Sequence, residues 1–217
     1  MKNKKLSFIA LIALTMAFTS CKKEQKVATT EAKEVIEVVS SETYIASATE
    51  TFITWNAKKK VLGGHQGTIN ASSGVIEVKG KDVVGGHFII DLNTINVTDI
   101  EEEGKKGNLI GHLKNVDFFD VANHPNGAFE ITSVTPKNDT SIIAGNLTLK
   151  GIKKNIAFPA TIVVNGGKTM IKSEEFNIDR TEWGINYNSG KVVDPASLGD
   201  KLIKDEVGIV VNIIASK

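Results

Sequence analysis

Phe88-Ile89-Ile90-Asp91-Leu92-Asn93 is the stretch of this 217-residue chain that decides the fold. Its first, third and fifth residues are large and apolar, whereas its fourth and sixth residues, Asp91 and Asn93, are polar. A period of two places successive side chains on opposite faces of a strand. The stretch therefore predicts a β-strand with one buried face.

Strand-like runs occupy most of the chain after residue 44. In Val207–Ile214 both alternating sets of residues are largely apolar, which predicts a strand covered on both faces. Turn-forming residues lie between runs at Ala71–Gly74, Lys137–Asp139 and Asn165–Gly167, and the last of these predicts a hairpin. The other predicted strands are Thr51–Trp55, Thr68–Ile69, Gly74–Val78, Phe129–Val134, Ser141–Leu149, Ile156–Val164 and Thr169–Ile178.

One segment, Asp99–Asp120, departs from this period. It holds apolar residues at helical spacing, and Asp99 or Asn108 is a candidate for the helix cap. The acidic run Glu101–Glu103 suits a helix start, where the dipole favours negative charge. About eight short strands and one helical excursion predict an all-β fold, an extended antiparallel barrel in preference to a sandwich.

The first 21 residues have the pattern of a secretory signal. Three lysines precede an apolar run that ends at Phe18, and this run is too short to remain as a membrane-spanning helix. The single cysteine of the chain, Cys21, follows Phe18-Thr19-Ser20 in a segment that resembles a bacterial lipoprotein cleavage box. We expect Cys21 to be the lipid anchor to a membrane; the alternative is an ordinary signal peptide with an incidental cysteine. One cysteine excludes an internal disulfide.

Composition limits the remaining possibilities. Residues 22–43 are charged or small and have no regular apolar period, which predicts a flexible tether. Residues 44–217 are long enough for one domain with a sizeable core. Without its three N-terminal lysines the chain has 23 basic and 25 acidic residues, and Arg180 is its only arginine. No concentrated basic face is present, so the sequence argues against nucleic-acid binding.

A series of short motifs follows in one order along the chain. Trp55 precedes Gly64–Gly67, and Gly85–Leu92 follows. Next come Leu109–Asp120 and His124-Pro125. The series ends with Gly145–Gly151, Phe158-Pro159, Asp179–Ile185 and Asp205–Val207. Together they resemble the YceI-like family of polyisoprenoid-binding, lipocalin-like barrel proteins. The chain departs from the family pattern at Asn115-Val116, where a small residue and Pro or Glu are usual.

The resemblance implies a barrel whose interior holds a long isoprenoid chain, with the polar head near one end. It implies an envelope lipoprotein that sequesters or shuttles a polyprenyl phosphate or isoprenoid quinone, and that has no catalytic residues and no further cofactor. We expect an outer-membrane anchor and a domain that faces the periplasm. Some family members pair, so a homodimer is one expected state. An eight-stranded barrel is filled by side chains or just holds one slender ligand.

Eleven residues are candidates to contact the ligand: Trp55, His65, Phe88, Ile90, His112, Leu113, Phe118, Phe119, Leu147, Arg180 and Trp183. Arg180 either grips a lipid head group or forms a structural ion pair with Asp179, Asp117 or Asp120. His112 is either a hydrogen-bonded core residue or a residue of the ligand mouth. The aromatic residues either fill the core or line a cavity, and the two roles are compatible.

Other functional classes are poorly supported. The four histidines lack the short spacing of a zinc site, and no serine lies in a nucleophile elbow. Glycines at 63, 64, 67, 85 and 86 leave room for a cavity or mark barrel corners. The alternative function is a structural or partner-recruiting lipoprotein with a filled barrel, and an envelope enzyme ranks last.

Overall fold

The computed structural model describes residues 25–35 and 37–217, which form eleven strands and one long helix. The predicted signal peptide and Cys21 lie outside the described residues. Helix α1 is Glu103–Lys114 and the short helix α2 is Pro195–Leu198, with single 3-10 turns at Arg180–Trp183 and Gly199–Lys201. The strands are β1 (Thr30–Glu31), β2 (Glu42–Ala46), β3 (Phe52–Lys59), β4 (Gly64–Lys79), β5 (Asp82–Val97), β6 (Asn126–Lys137), β7 (Thr140–Leu149), β8 (Ile152–Asn165), β9 (Lys168–Ser173), β10 (Phe176–Asp179) and β11 (Ile203–Ser216).

Eight of these strands close into a ring, which confirms the predicted barrel. Strands β3 to β9 follow one another around the ring in sequence order, and β11 closes it by pairing with both β9 and β3. Strands β1, β2 and β10 pair with members of this ring. All pairings between strands are antiparallel. The helical end of the barrel holds α1, the β3–β4 turn and residues 180–202. The hairpin end holds the β4–β5, β6–β7 and β8–β9 turns.

Two of the three predicted turns are present, and one is wrong. Strands β6 and β7 join at residues 138–139, and β8 and β9 join at Gly166-Gly167, as the sequence predicts. Ala71–Gly74 instead lies within β4, where the register with β5 shifts between Ala71 and Ser73. Here β4 also changes its partner from β3 to β2. The turn-forming residues therefore make a bulge that bends a long strand.

The glycines of β4 and β5 mark close approaches between strands. A Cβ at Gly67 would lie 1.8 Å from the carbonyl oxygen of Asn96. Gly86 has a φ of +154°, and a Cβ there would lie 2.6 Å from the carbonyl oxygen of Val75. These positions exclude a side chain because backbone occupies the space. Close approach of neighbouring strands therefore explains the glycines at positions 67 and 86.

Two other predictions need correction. The predicted strand Thr169–Ile178 is two strands, β9 and β10. The helix is shorter than Asp99–Asp120, and its N-cap is Glu102, without a side-chain hydrogen bond. Asp99 instead accepts a hydrogen bond from the backbone N–H of Gln66. The helical turns stop at Lys114 because the chain becomes extended at Asn115.

The barrel wall has a gap between β8 and β10 that residues 25–33 fill. Strand β8 pairs with β9 only over residues 160–165, and no pairing joins β8 to β10 in the described part of the chain. Lys26 pairs in parallel with Asn177 of β10, and Thr30 pairs with Asn155 of β8. Residues 25–33, the N-terminal strap, thus join the two strands across the gap.

Side chains also hold the strap in place. Val27 is buried in the hydrophobic core, and Lys26 Nζ lies 2.8 Å from Glu206 Oε1 of β11. The side chain of Asn146 accepts a hydrogen bond from the Lys33 N–H and donates one to the Lys33 carbonyl. The structure therefore differs from the predicted flexible tether over residues 25–33. Their composition predicts no order, but backbone pairing supplies it.

We predict that Val27→Ala lowers the free energy of unfolding by about 2 kcal/mol, since it removes buried methyl groups from the core. Val35→Ala is the matched control, because Val35 is exposed and lies just beyond the strap. Urea unfolding of the chain from Lys22 onward measures both variants. Equal stability of the two variants would contradict the role of the strap.

Candidate functional site

The interior of the barrel holds an elongated apolar cavity of about 220 Å³. It extends from Thr51 and Ile213 towards the hairpin end to Lys58, His65 and Ile203 at the helical end. Nearly all of its surface comes from apolar atoms. Water in such a space has few hydrogen-bond partners, so an apolar occupant is favoured.

The alternation of the strands creates this cavity. In β3, Ile53, Trp55 and Ala57 line the cavity, whereas Asn56 lies on an outer groove. In β11, alternate residues from Val207 to Ile213 line it in the same way. Each strand therefore presents one apolar set to the interior and the other set to the outside.

Most of the predicted ligand residues meet in the wall of this cavity. They come from six separate segments, which only the closed ring brings together. The predicted residues that line the cavity are Trp55, His65, Phe88, Ile90, Leu113, Phe118, Phe119, Leu147 and Arg180.

Two predicted ligand residues, His112 and Trp183, lie outside the cavity wall. Trp183 is fully buried, and its indole N–H donates a hydrogen bond to the Leu147 carbonyl at 3.0 Å. His112 is half-buried and makes edge contacts with Phe118 and Tyr187, at centroid distances of 5.0 and 4.6 Å. Trp183 packs the wall from behind, and His112 belongs to an aromatic cluster at the helical end.

Trp55 carries an unpaired hydrogen-bond donor. Its ring lies in the cavity wall with 7% of the residue exposed, and its Nε1 atom is buried with no hydrogen-bond partner. A buried donor that is left without an acceptor costs free energy. Trp55 therefore carries a buried donor that the protein itself does not satisfy.

The arginine of the wall is held by the protein itself. Arg180 donates hydrogen bonds to the carbonyl oxygens of Lys204, Ile185 and Ile203, and its ion pair is with Asp205 at 3.4 Å. The predicted pairing with Asp179, Asp117 or Asp120 is therefore wrong, because β11 brings Asp205 closer. These contacts favour the structural interpretation of Arg180 over the head-group interpretation.

Asp179 is the centre of a neighbouring ionic network at the strap. It accepts hydrogen bonds from Lys191 and from the backbone and hydroxyl of Thr181, and Lys26 of the strap lies 3.4 Å away. Burial acts to raise the pKa of Asp179, but the hydrogen bonds from Lys191 and Thr181 outweigh it and lower this pKa to about 2. The ionised carboxylate therefore contributes to the stability of the fold.

The mouth of the cavity lies at the helical end. Lys58, Lys59 and His65 line it on the β3–β4 side. His65 Nδ1 lies 3.0 Å from Asp99 Oδ2. Burial acts to raise the pKa of Asp99, but hydrogen bonds from the Gln66 backbone and from His65 hold this pKa below its ordinary value. The mouth thus places the ammonium groups of Lys58 and Lys59 beside an otherwise apolar space.

Several lining aromatic residues were not predicted. Phe158 and Phe176 stack at a centroid distance of 4.4 Å, and Phe129 lies 5.7 Å from Phe158. All three line the cavity. Phe129 and Phe158 begin or lie within predicted strands, so alternation was an available signal for them. Their inward direction depends on the register of β6 to β8, which the sequence does not specify.

The described residues also bear on metal binding and on membrane spanning. No group of three or more His, Cys, Asp or Glu side chains in residues 25–35 and 37–217 is placed to hold a metal ion. Of the helices in this part of the chain, none is long and apolar enough to cross a bilayer.

A closed antiparallel ring around an apolar cavity defines the class of lipocalin-like barrels. Within this class, the chain belongs to the family of YceI-like domains, which matches residues 44–215. Protein YceI of Escherichia coli is 29% identical over 130 residues, or 54% of this chain and 65% of that protein. A UPF0312 protein of Pseudomonas aeruginosa is 29% identical over 115 residues, or 53% of this chain. The match spans 58% of the length of the Pseudomonas relative.

Solved structures show the same fold. BcnA of Burkholderia cenocepacia has a TM-score of 0.61 and 17% identity, covering 79% of this chain and 99% of that one. A polyisoprenoid binding domain from Saccharophagus degradans has a TM-score of 0.60 and 17% identity, covering 80% of this chain and 97% of that one. At such identity the likeness establishes the fold of the chain.

We predict that Trp55→Phe destabilises the empty protein by about 1 kcal/mol less than Trp183→Phe, because both changes replace a buried indole by a smaller phenyl ring but only Trp183 loses a hydrogen bond. Trp183→Phe is the matched control and should destabilise by about 2 kcal/mol, since the Leu147 carbonyl loses its donor. Denaturant unfolding of the ligand-free protein compares them. An equal loss of stability in both variants would contradict the assignment of an unpaired donor at Trp55.

We also predict that Asp179→Asn reduces the acid sensitivity of the fold. The lowered pKa of Asp179 means that its contribution is full above about pH 4 and is lost as the pH falls through about 2. The free energy of unfolding, measured from pH 5 to pH 2, should therefore fall less steeply for the variant than for the wild type. Asp139→Asn in the exposed β6–β7 turn is the control, and an equal change of slope there would contradict the assignment.

Proposed function

We propose that this chain is an envelope lipoprotein that binds a polyisoprenoid-type lipid in its barrel cavity, for sequestration or shuttling. The observation that carries this proposal is the elongated cavity with its almost wholly apolar wall. A prenyl chain is slender and apolar along its length, so it matches such a space. Each buried CH₂ contributes roughly 0.8 kcal/mol, so few polar contacts are needed for tight binding.

The polar groups near the cavity favour a ligand with acceptor oxygens at its head. The ammonium groups of Lys58 and Lys59 lie at the mouth. A quinone carbonyl or a phosphate oxygen can accept from donors of this kind. Both a polyprenyl phosphate and an isoprenoid quinone therefore suit the site.

The fold also bears on the alternative functions. A structural or partner-recruiting lipoprotein needs no cavity, so the open interior favours ligand binding over a filled barrel. The barrel neighbour from Saccharophagus degradans is described as a polyisoprenoid binding domain, which supports the same ligand class here. The guanidinium of Arg180 is occupied by carbonyls and Asp205, and no reacting group is needed for the proposed role. We accordingly propose a binding protein and not an enzyme.

The proposed location rests on the sequence. A lipidated Cys21 would anchor the chain to a membrane, and more than one acyl chain makes such an anchor stable. We propose the outer membrane, with the barrel facing the periplasm.

The proposal is tested by the lipid that the protein carries. The chain from Lys22 onward, which contains every described residue, is produced with export to the envelope and measured by native mass spectrometry, followed by lipid extraction. We expect a discrete adduct of prenyl-lipid mass. A folded protein with no adduct, and with no uptake of added isoprenoid quinone or polyprenyl phosphate, would overturn the proposal.

A pair of variants on β3 locates the binding. Ala57→Phe places a ring in the cavity and should reduce quinone affinity by about tenfold or more, because the ring takes the space of the ligand. Asn56→Phe is the matched control, since Asn56 is the neighbouring residue on the outer face. Titration with quinone, monitored by tryptophan fluorescence, compares them. Equal loss in both variants, or in neither, would place the ligand elsewhere.

A further inference from the structure

Three loops at the helical end expose apolar side chains to solvent. The exposed fractions are 67% for Val61, 86% for Leu62, 61% for Val116 and 61% for Val192. A lysine precedes each tip by one or two positions, at Lys60, Lys114 and Lys191. Single exposed apolar residues are common on protein surfaces, but a set at one end of a molecule needs an explanation.

Backbone contacts bring two of these loops together. The Lys60 N–H donates to the Leu202 carbonyl at 2.9 Å, beside the turn that carries Val61 and Leu62. Ser189 pairs with Ile203, the next residue along β11. The carbonyl of Ser189 also accepts from the N–H groups of Val192 and Val193. Both tips therefore flank the start of β11.

Ring contacts join the third loop to the same rim. Tyr187 packs against His112 and Phe118, with centroid distances of 4.6 and 5.1 Å. Val116 lies between these two residues in the chain, and its carbonyl accepts a hydrogen bond from Lys150. The three tips thus lie around one end of the barrel, the end at which Lys58 and His65 line the cavity mouth.

From this arrangement we propose that the rim formed by Val61-Leu62, Val116 and Val192-Val193 docks on an anionic bilayer surface. Apolar tips enter the boundary between head groups and acyl chains, while Lys59 and Lys60 keep their ammonium groups at the head groups. Anionic lipids attract such lysines. Lys114 and Lys191 contribute less, because they are held by the Asn93 carbonyl and by Asp179. Lys59 ends β3 and Lys60 begins the β3–β4 turn, which gives the Val61-Leu62 tip the strongest charge complementarity.

The acidic residues of the helical end do not remove this complementarity. Glu102 and Glu103 at the start of α1 pair with Lys105 and Lys106, so the acidic run is largely balanced within the helix. Lys59 and Lys60 are exposed directly beside Val61 and Leu62. Positive charge is therefore concentrated beside the most exposed apolar tip.

The start of the strap supports the same orientation. Gln25 accepts a hydrogen bond from Asn177 of β10, a strand that leads directly into the helical end. Gln25 follows Cys21 by four positions, a span of at most about 14 Å. An anchored Cys21 would therefore keep this half of the barrel near the bilayer. Docking does not depend on the proposed ligand, but it would give that ligand a direct route from the membrane to the mouth.

Vesicle binding tests the docking surface without the anchor. The chain from Lys22 onward is mixed with vesicles of equimolar phosphatidylcholine and phosphatidylglycerol, or of phosphatidylcholine alone, and the bound fraction is measured by flotation. We expect tighter binding to the anionic vesicles. The double variant Val61→Ser/Leu62→Ser should bind them about tenfold more weakly or worse, because it removes the inserted side chains. Lys60→Gln should weaken binding to the anionic vesicles alone, by roughly fivefold.

Matched controls lie at the hairpin end. Ile45→Ser changes an exposed apolar residue of β2, and Lys81→Gln changes an exposed lysine of the β4–β5 turn. Both should bind vesicles as the wild type does. Equal losses in the controls, or a wild type that does not bind the anionic vesicles, would overturn the proposal. A dimer that the tip variant abolishes, in a protein without vesicle binding, would assign the rim to a second copy instead.

The outcome is separable from that of the proposed function. Quinone titration in the absence of vesicles should give the same affinity for the tip variant and the wild type, since Val61 and Leu62 do not line the cavity. Loss of vesicle binding with unchanged quinone affinity supports the docking surface. Vesicle binding by a protein that takes up no quinone or polyprenyl phosphate would contradict the ligand and leave the docking surface supported.

Discussion

The structure depends on one constraint, which is that every strand edge of the barrel wall needs a hydrogen-bonding partner. Strands β8 and β10 do not pair with each other, so the backbone groups along these two edges need another partner. The strap meets this need from the other end of the sequence, with parallel pairing to Asn177 and antiparallel pairing to Asn155. Closure of the wall, and with it the shelter of the apolar interior, therefore rests on residues that precede the family-defining part of the chain.

Polar and apolar interactions are divided between the two sides of this wall. The interior presents aliphatic and aromatic side chains, whereas Asn146 and Asn155 form a buried hydrogen-bonded pair beneath the strap. Arg180 also belongs to the cavity wall, but its donors are directed to backbone carbonyls and Asp205. Away from the lysines and His65 of the mouth, this division leaves a cavity that discriminates by shape and apolar character.

The sequence predicts what local periodicity controls. Alternation identified the strands and, through Phe88, Ile90 and Leu147, much of the cavity face. It failed at Trp183, which lies in a 3-10 turn where the period of two does not apply. It failed again at the strap, where Val27 is the buried apolar residue and the remaining contacts are made by backbone and by partners far along the chain. The partner of Arg180 could not be predicted either, because it depends on how β11 returns beside β10.

Closure of the wall by the strap and by β11 affects the order of folding. Lys26 pairs with Glu206, so residues separated by 180 positions must meet before the wall is complete. Contacts of such long range form slowly, because a large loop must close before they stabilise anything. During synthesis, a chain that lacks β11 holds β3 and β9 as open edges available to other chains. A chain without β11 therefore cannot close the barrel wall, and assembly is completed only after this strand has been synthesised.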